Sequence, residues 1–343
     1  MPPKKDKQIK YKDGYIFVDV SYLVFYRYFA LKRWFSFAHK DIVVKDDKWL
    51  DNKEFIEKFE KTLLDTILKI AKKQKIQPSN IVFAFDCHHK DIWRIAVANS
   101  YYNSLKNIDV NVNTEYKGTR ADAHEKQNFS EFAIFEMVKK KMLSPFIKKY
   151  NNIKLEHKNA EADDCIAIGI RHLREKKKDT APIWIIASDT DYLQICDSTT
   201  HLIDLKQKVI DDKHLVEKKI NNREYLLNKI MIGDVSDNIF AVKLNPDHFE
   251  LLDDKYNIKI RKNKKEEYKI TKSIAGKIME NSTLKKELLE FMERDLPISK
   301  EKLAEYNAHF AFMDLKHFAF NQTMIDFKYI PKNIVEKIYG DMK

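Results

Sequence analysis

Two kinds of apolar pattern alternate along the chain. Short uninterrupted runs, "YIFVDV" (15 to 20), "IVFAFD" (81 to 86) and "IWIIAS" (183 to 188), are rich in β-branched and aromatic residues, as strands buried on both faces are. Between them lie longer stretches with apolar residues three and four apart, clearest in "NKEFIEKFEKTLLDTILKIAKKQ" (52 to 74), the period of an amphipathic helix. Strands alternating with helices predict an α/β fold: a mainly parallel sheet with helices on both faces. "IKLEH" adds a strand before a helix starting near Glu161, and "HLIDL" another after it. Beyond about residue 222 the strand pattern fades, and "NREYLLNKIMIG", "SIAGKIMEN", "LKKELLEFMERD" and "KEKLAEYNAHFAFMDLKHF" all read as helices. The expected division is a basic tail over 1–12, an α/β core over 13–221 and a helical C-terminal region over 222–343. Within the last, the charge-dense "DDKYNIKIRKNKKEEYK" (253 to 269) is expected to be exposed.

Each of the three apolar runs ends in, or just reaches, an aspartate: Asp19, Asp86 and Asp189. In a parallel sheet the C-terminal strand ends share one edge, where ligands bind in open α/β folds. "NAEADDCIAIGI" adds Glu161, Asp163 and Asp164 at a helix start, where the helix dipole alone favours acidic residues. "GDVSDNI" adds Asp234 and Asp237 just after a helix ending at Gly233, although Asp and Asn also suit turns for local reasons. Asp189 and Asp191, at i and i+2, point to the same side if the segment is extended. Like charges this close resist joint ionisation unless a cation is present. Oxygen ligands with no convergent His or Cys select Mg²⁺ or Mn²⁺ over zinc. So many carboxylates suit two ions about 3.5–4 Å apart, an arrangement that serves phosphodiester hydrolysis.

Charge changes the picture of the partner. With 63 Lys and Arg against 52 Asp and Glu the formal net charge is +11 over 343 residues, which favours a polyanion, nucleic acid or an anionic membrane surface. No apolar run reaches membrane-spanning length, and the start "MPPKKDKQIKYKDG" lacks a signal-peptide core. Cys87, Cys165 and Cys196 have no metal-ligand spacing and suggest free thiols in a reducing compartment. The expectation is a soluble intracellular protein, not associated with membrane.

The order of "VDVSYLVFYRY", "FAFDCHHKDIWR", "EYKGTR", "EADD", "ASDTDYLQI" and "GDVSDNI" resembles the blocks of the flap endonuclease and 5′-nuclease superfamily. "MIDFKYIPKNIVEKI" and "GDVSDNIFAVKL" look most like the T-even bacteriophage ribonuclease H, a viral-type member. The resemblance spans roughly residues 13 to 340. It implies a PIN-like nuclease core followed by a helical part that holds duplex, and two Mg²⁺ ions for which Mn²⁺ substitutes. By position, Asp19, Asp86, Glu161 and Asp163 would hold the first ion. Asp189, Asp191, Asp234 and Asp237 would form the second site, with Asp164 close by. Lys117 and Arg120 match basic residues that approach the scissile phosphate, with Arg94 in the "WR" block before them. The arch-like segment of about 88–128 carries Tyr101, Tyr102 and Tyr116 as candidate DNA contacts; Tyr101 and Tyr102 would stack on bases, although such a pair more often reflects ordinary packing. Lys272, Ser273, Gly276 and Lys277 would offer amides and lysines to duplex phosphates, or form a solvated basic face.

The implied activity is a 5′-3′ exonuclease and flap endonuclease acting on DNA flaps, forks, nicks or RNA primers in replication and repair. The implied partners are branched or nicked DNA, RNA–DNA hybrid and replication proteins, with the chain itself a monomer. Three readings compete: a junction-binding protein without cleavage, a PIN-domain endoribonuclease, and a haloacid-dehalogenase-like phosphatase. The last needs Asp-x-Asp on its nucleophile strand, where this chain has Asp19-Val20-Ser21.

Overall fold

The computed structural model describes residues 10–39, 46–105, 115–118, 131–260, 268–294 and 298–342. They fall into two compact units: Met1–Ile92 with Asp122–Glu217 and Pro331–Lys343, and Trp93–Ala121 with Lys218–Ile330.

All five expected strands form in the first unit: β1 (Tyr15–Asp19), β2 (Ile81–Ala84), β3 (Ile153–Leu155), β4 (Ile183–Ile186) and β5 (Thr200–Ile203). They make one sheet in the order β3-β2-β1-β4-β5, with every neighbouring pair parallel. Side chains on successive residues point to opposite faces, and both faces are covered. Ile16, Val18, Ile81, Phe83, Ile186 and Ile203 join one cluster with helices Val20–Ala38 and Lys53–Gln74. Phe17 faces the helix Ala162–Arg171. Burial on both sides explains why these runs are uniformly apolar rather than alternating, and each such side chain contributes about 1.5–3 kcal/mol.

Local signals set the helix starts. Asp19 caps the helix Val20–Ala38, and its carboxylate accepts from the Tyr22 amide at 3.0 Å. Asn52 caps Lys53–Gln74 in the same way through Phe55, satisfying an amide that has no partner within the helix. The helix Ala162–Arg171 lies so close to the sheet that a Cβ on Gly169 would meet Phe17 Cε1 at 2.8 Å and Leu155 Cδ1 at 3.0 Å.

In the second unit, helices Trp93–Ser104, Asn222–Ile232, Phe249–Tyr256, Lys272–Glu280, Ser282–Met292, Lys300–His309 and Leu315–Ile325 bury Leu226, Ile230, Leu252, Leu284, Leu288, Phe291 and Phe318. Three sequence expectations change. The pattern read as one helix from residue 300 onward breaks, because Leu244 and Met313 form a β-bridge and Asp314 N donates to Lys243 O. Asp314 then caps a new helix through the amides of Lys316 and His317. The charged insert is not uniformly exposed, since Tyr256 and Ile258 are buried; its residues 261–267 lie outside the described residues. The chain also does not divide linearly at 221. The helix Lys332–Asp341 buries Ile334 and Ile338 and packs on Ala162–Arg171 and β3, which returns it to the first unit.

The Gly169 contact yields a paired test. Gly169→Val should lower the free energy of unfolding by about 1–3 kcal/mol, the usual cost of overpacking. Gly276→Ala, whose Cβ would meet nothing within 4 Å, should raise it by up to about 1 kcal/mol through helix propensity. Urea unfolding of both variants checks the contrast, and a neutral Gly169→Val would mean the helix can lift from the sheet.

Candidate metal centre

Strand register builds the first unit's site. Asp19 pairs with Ala84 and Val18 with Ile186, so Asp86 and Asp189 lie just past the same sheet edge as Asp19. β1 sits between β2 and β4, where the winding of the sheet reverses and a crevice opens at the strand ends. The helix Ala162–Arg171 brings its N-terminus to that edge, because its Ala162 amide donates to Asp86 Oδ1 at 2.7 Å. Cys87 N donates to Ala160 O at 3.0 Å and fixes the loop before it. Among the described residues, Glu161, Asp163 and Asp164 offer ligand atoms all within 4.8 Å of one another. Glu161 and Asp164 are buried, Asp19 and Asp163 half-buried, and Asp86 and Asp189 exposed. The carboxylates therefore run from a closed floor to open solvent.

Hydroxyl donors reach two of these carboxylates. Tyr192 Oη donates to Asp19 Oδ2 at 3.0 Å, and Ser21 Oγ donates to Asp86 Oδ2. Burial, then the charges of Asp86 and Asp189, push the Asp19 carboxyl up to about 7 against the pull of the Tyr22 amide and Tyr192. Burial and the surrounding carboxylates likewise push the Tyr192 phenol up. All-oxygen donors that resist ionising together are the chemistry a divalent cation relieves. The residues of the first unit fit such an ion.

Asp189 and Asp191 do not follow an extended segment as their spacing suggested. Asp189 caps a 3₁₀ turn, Thr190–Ile195, with its Oδ1 accepting from Asp191 N at 2.9 Å. A short side chain that bonds backbone two residues on diverts the chain at this point.

The second unit holds Asp234 and Asp237 differently. Gly233 has φ +70, and a Cβ there would lie 2.3 Å from Ile239 O. This tight return lets the amides of Asp234 and Ile239 exchange bonds with each other's carbonyls at 2.8 Å. Asp234 lies 2.8 Å from Lys229 Nζ and accepts from Ser236 N and Oγ. Burial pushes this carboxyl up, but Lys229 and Ser236 outweigh it and hold the group at about 2. Buried Asp237 accepts from Tyr116 Oη at 3.1 Å and lies 3.7 Å from Lys117 Nζ.

Several expected contacts take other roles. Arg94 is buried, stacks over Trp93 and donates from Nε to Met324 O at 2.8 Å, so it ties two helices together rather than facing a phosphate. Tyr101 stacks on Phe320 at 3.9 Å, and buried Tyr102 meets both rings edge-on. The pair therefore takes the packing role that the sequence also allowed, with both rings against Phe320. Tyr116 is buried against Asp237. Lys272, Ser273 and Lys277 are exposed along their helix, with Gly276 open beside them. Arg120 lies outside the described residues, as do most of the tail and much of the arch-like segment. Tyr192, Ser21 and Lys229 were not anticipated; Tyr192 stands next to Asp191 in "SDTDY", but nothing in that spacing shows that it turns to Asp19.

A profile of the 5′-3′ exonuclease N-terminal, resolvase-like domain matches residues 14–221, more than half of the chain. The chain belongs to this family. Among solved structures it is similar to the bacteriophage T5 5′-exonuclease with bound zinc, at TM-score 0.54, 14% identity and coverage of 96% of this chain and 98% of that one. The phage protein co-crystallised with metal ions gives a TM-score of 0.53, again at 14% identity and the same coverage of both chains. Its flap endonuclease complex with DNA and metal ions gives 0.51, also at 14% identity and with the same coverage. At this identity the likeness concerns the fold: a parallel sheet with covering helices, followed by helices. No curated protein matches the chain. No helix among the described residues is long and apolar enough to cross a membrane.

Asp19 supplies a pH test. A carboxyl held above its ordinary 3.8 makes the folded state the better proton binder, so its contribution is present at low pH and is lost as pH rises towards about 7. In EDTA, urea stability should decline over that window. Saturating Mg²⁺ or Mn²⁺ should restore it, and Asp19→Asn should flatten the decline. The same profile in wild type and variant would remove Asp19 as its source.

Proposed function

We propose that this chain is a Mg²⁺-dependent, structure-specific 5′-nuclease that hydrolyses phosphodiesters at 5′ flaps, forks and nicks. The observation that carries this reading is the convergence of Asp19, Asp86 and Asp189 with Glu161, Asp163 and Asp164 on one sheet edge of a family member. Asp19, Asp86, Glu161 and Asp163 are its ligands for one ion. Asp234 and Asp237 are loop carboxylates available to another, as Asp189 and Asp191 are on their own sheet edge. When bound, the ions polarise the phosphate and lower the pKa of attacking water.

The chain's own part is positional. Tyr192 and the Tyr22 amide orient Asp19, and the N-terminus of the helix Ala162–Arg171 orients Asp86. The basic excess and exposed Lys272 and Lys277 suit sequence-independent phosphate contacts. The phage T5 flap endonuclease described with DNA and metal ions supports DNA as substrate, and the C-terminal blocks support a T-even-like branch that removes RNA primers. A phosphatase of the haloacid-dehalogenase type is disfavoured, because β1 runs from Asp19 straight into a helix beginning at Val20.

Labelled 5′-flap, 3′-flap, nicked hybrid and single-stranded RNA substrates, assayed side by side, test the reading. The 5′ flap should be cut near its junction and the nick shortened 5′ to 3′, with EDTA abolishing both. Equal cutting of a 3′ flap would overturn it. Asp163→Asn should slow cleavage by more than about 100-fold and Tyr192→Phe by about 10-fold, because a residue behind a ligand matters less than the ligand. DNA binding should change little in either.

A further inference from the structure

The loop Asp234–Asp237 already carries its own cations. Lys229 Nζ sits 2.8 Å from Asp234 Oδ2, and Lys117 Nζ sits 3.7 Å from Asp237 Oδ2. Neither lysine is a surface group: their side chains are 11% and 12% exposed, against 17% and 11% for the two aspartates. Lys117 is held in place by more than charge. Its backbone adopts φ +56, its amide donates to Asp237 O at 3.2 Å, and the neighbouring Glu115 carbonyl accepts from Asn238 Nδ2 at 2.9 Å. Tyr116 completes the contact through its hydroxyl on Asp237 Oδ2.

Buried or half-buried carboxylates left without a cation are costly, so a metal-free loop needs these ammonium groups. A single divalent ion supplies the same two positive charges. We propose that metal entry at this loop is a cation exchange in which the ion displaces Lys229 from Asp234 and Lys117 from Asp237, releasing both ammonium groups from these carboxylates. The inference rests on the reading of Asp234 and Asp237 as metal ligands. It makes Lys117 and Lys229 positioning residues of the metal-free state.

Amine-reactive labelling read by mass spectrometry, with Mn²⁺ binding followed in parallel by electron paramagnetic resonance, tests the exchange on full-length, DNA-free protein at constant ionic strength. Without metal, Lys117 and Lys229 should label slowly. Saturating Mn²⁺ should speed both by several-fold while exposed Lys272 is unchanged. Asp237→Asn should make Lys117 reactive with or without Mn²⁺. Lys117→Met and Lys229→Gln should each tighten the weaker class of bound Mn²⁺ by about three- to tenfold, the scale on which a partly screened ion pair weighs. Unchanged labelling and unchanged affinity, with Mn²⁺ still lost in Asp234→Asn and Asp237→Asn, would overturn the exchange and leave the metal site standing. Mn²⁺ binding unaffected by those two Asn variants would overturn the metal reading of the loop and the exchange with it.

Discussion

The constraint on which the first unit depends is the parallel register of β1 with β2 and β4. Parallel strands all finish on one edge, so an aspartate at each finish places negative charge together whether or not the sequence brings those residues close. The fold has to support that crowding. It does so by close packing beneath the site, where a glycine lets one helix settle onto Phe17 and Leu155. It also does so by aiming neutral donors at the charge: a helix-start amide at Asp86, and a phenol and an amide at Asp19. Neutral donors of this kind orient a carboxylate without cancelling its charge.

The second unit solves a related problem by the opposite means. Asp234 and Asp237 face ammonium groups at short range, and their loop is closed by the positive φ of Gly233 and an exchanged pair of backbone bonds. A carboxylate paired with lysine gives up that partner to accept a metal ion, whereas one oriented by a phenol or an amide keeps its donor when an ion arrives. The two sets should therefore differ in how strongly they draw an ion, although both are carboxylates in acidic motifs.

The fold was largely legible because its signals were local. Continuous β-branched runs marked the strands, and the acidic residues around Glu161 marked a helix start, since burial and helix-end effects act over a few residues. The site's carboxylates were legible for the same reason: strand ends can be read directly from such runs. What was missed depends on residues far apart in sequence. A bridge between Leu244 and Met313 breaks an otherwise helical pattern, and the helix Lys332–Asp341 returns to the first unit through Ile334 and Ile338. A side chain's partner was hardest of all to read. Tyr192 reaches back 173 residues to Asp19, and Arg94 reaches forward 230 to Met324.

Arg94 shows why charge in a motif is not yet a role. A guanidinium that is 2% exposed and spends its Nε–H on a backbone carbonyl has been withdrawn from the surface potential that a phosphate would feel. Lys229 and Lys117 are withdrawn too, but onto carboxylates, and an ion pair is exchangeable in a way that a buried carbonyl contact is not. The formal +11 thus contains at least two kinds of cation. Exposed ones, such as Lys272 and Lys277, are available to any polyanion at all times. Those sequestered on acidic loops become available only when another cation takes their place. A basic protein organised this way should hold nucleic acid through the first kind with or without metal. Groups of the second kind would be added only where and when metal is bound.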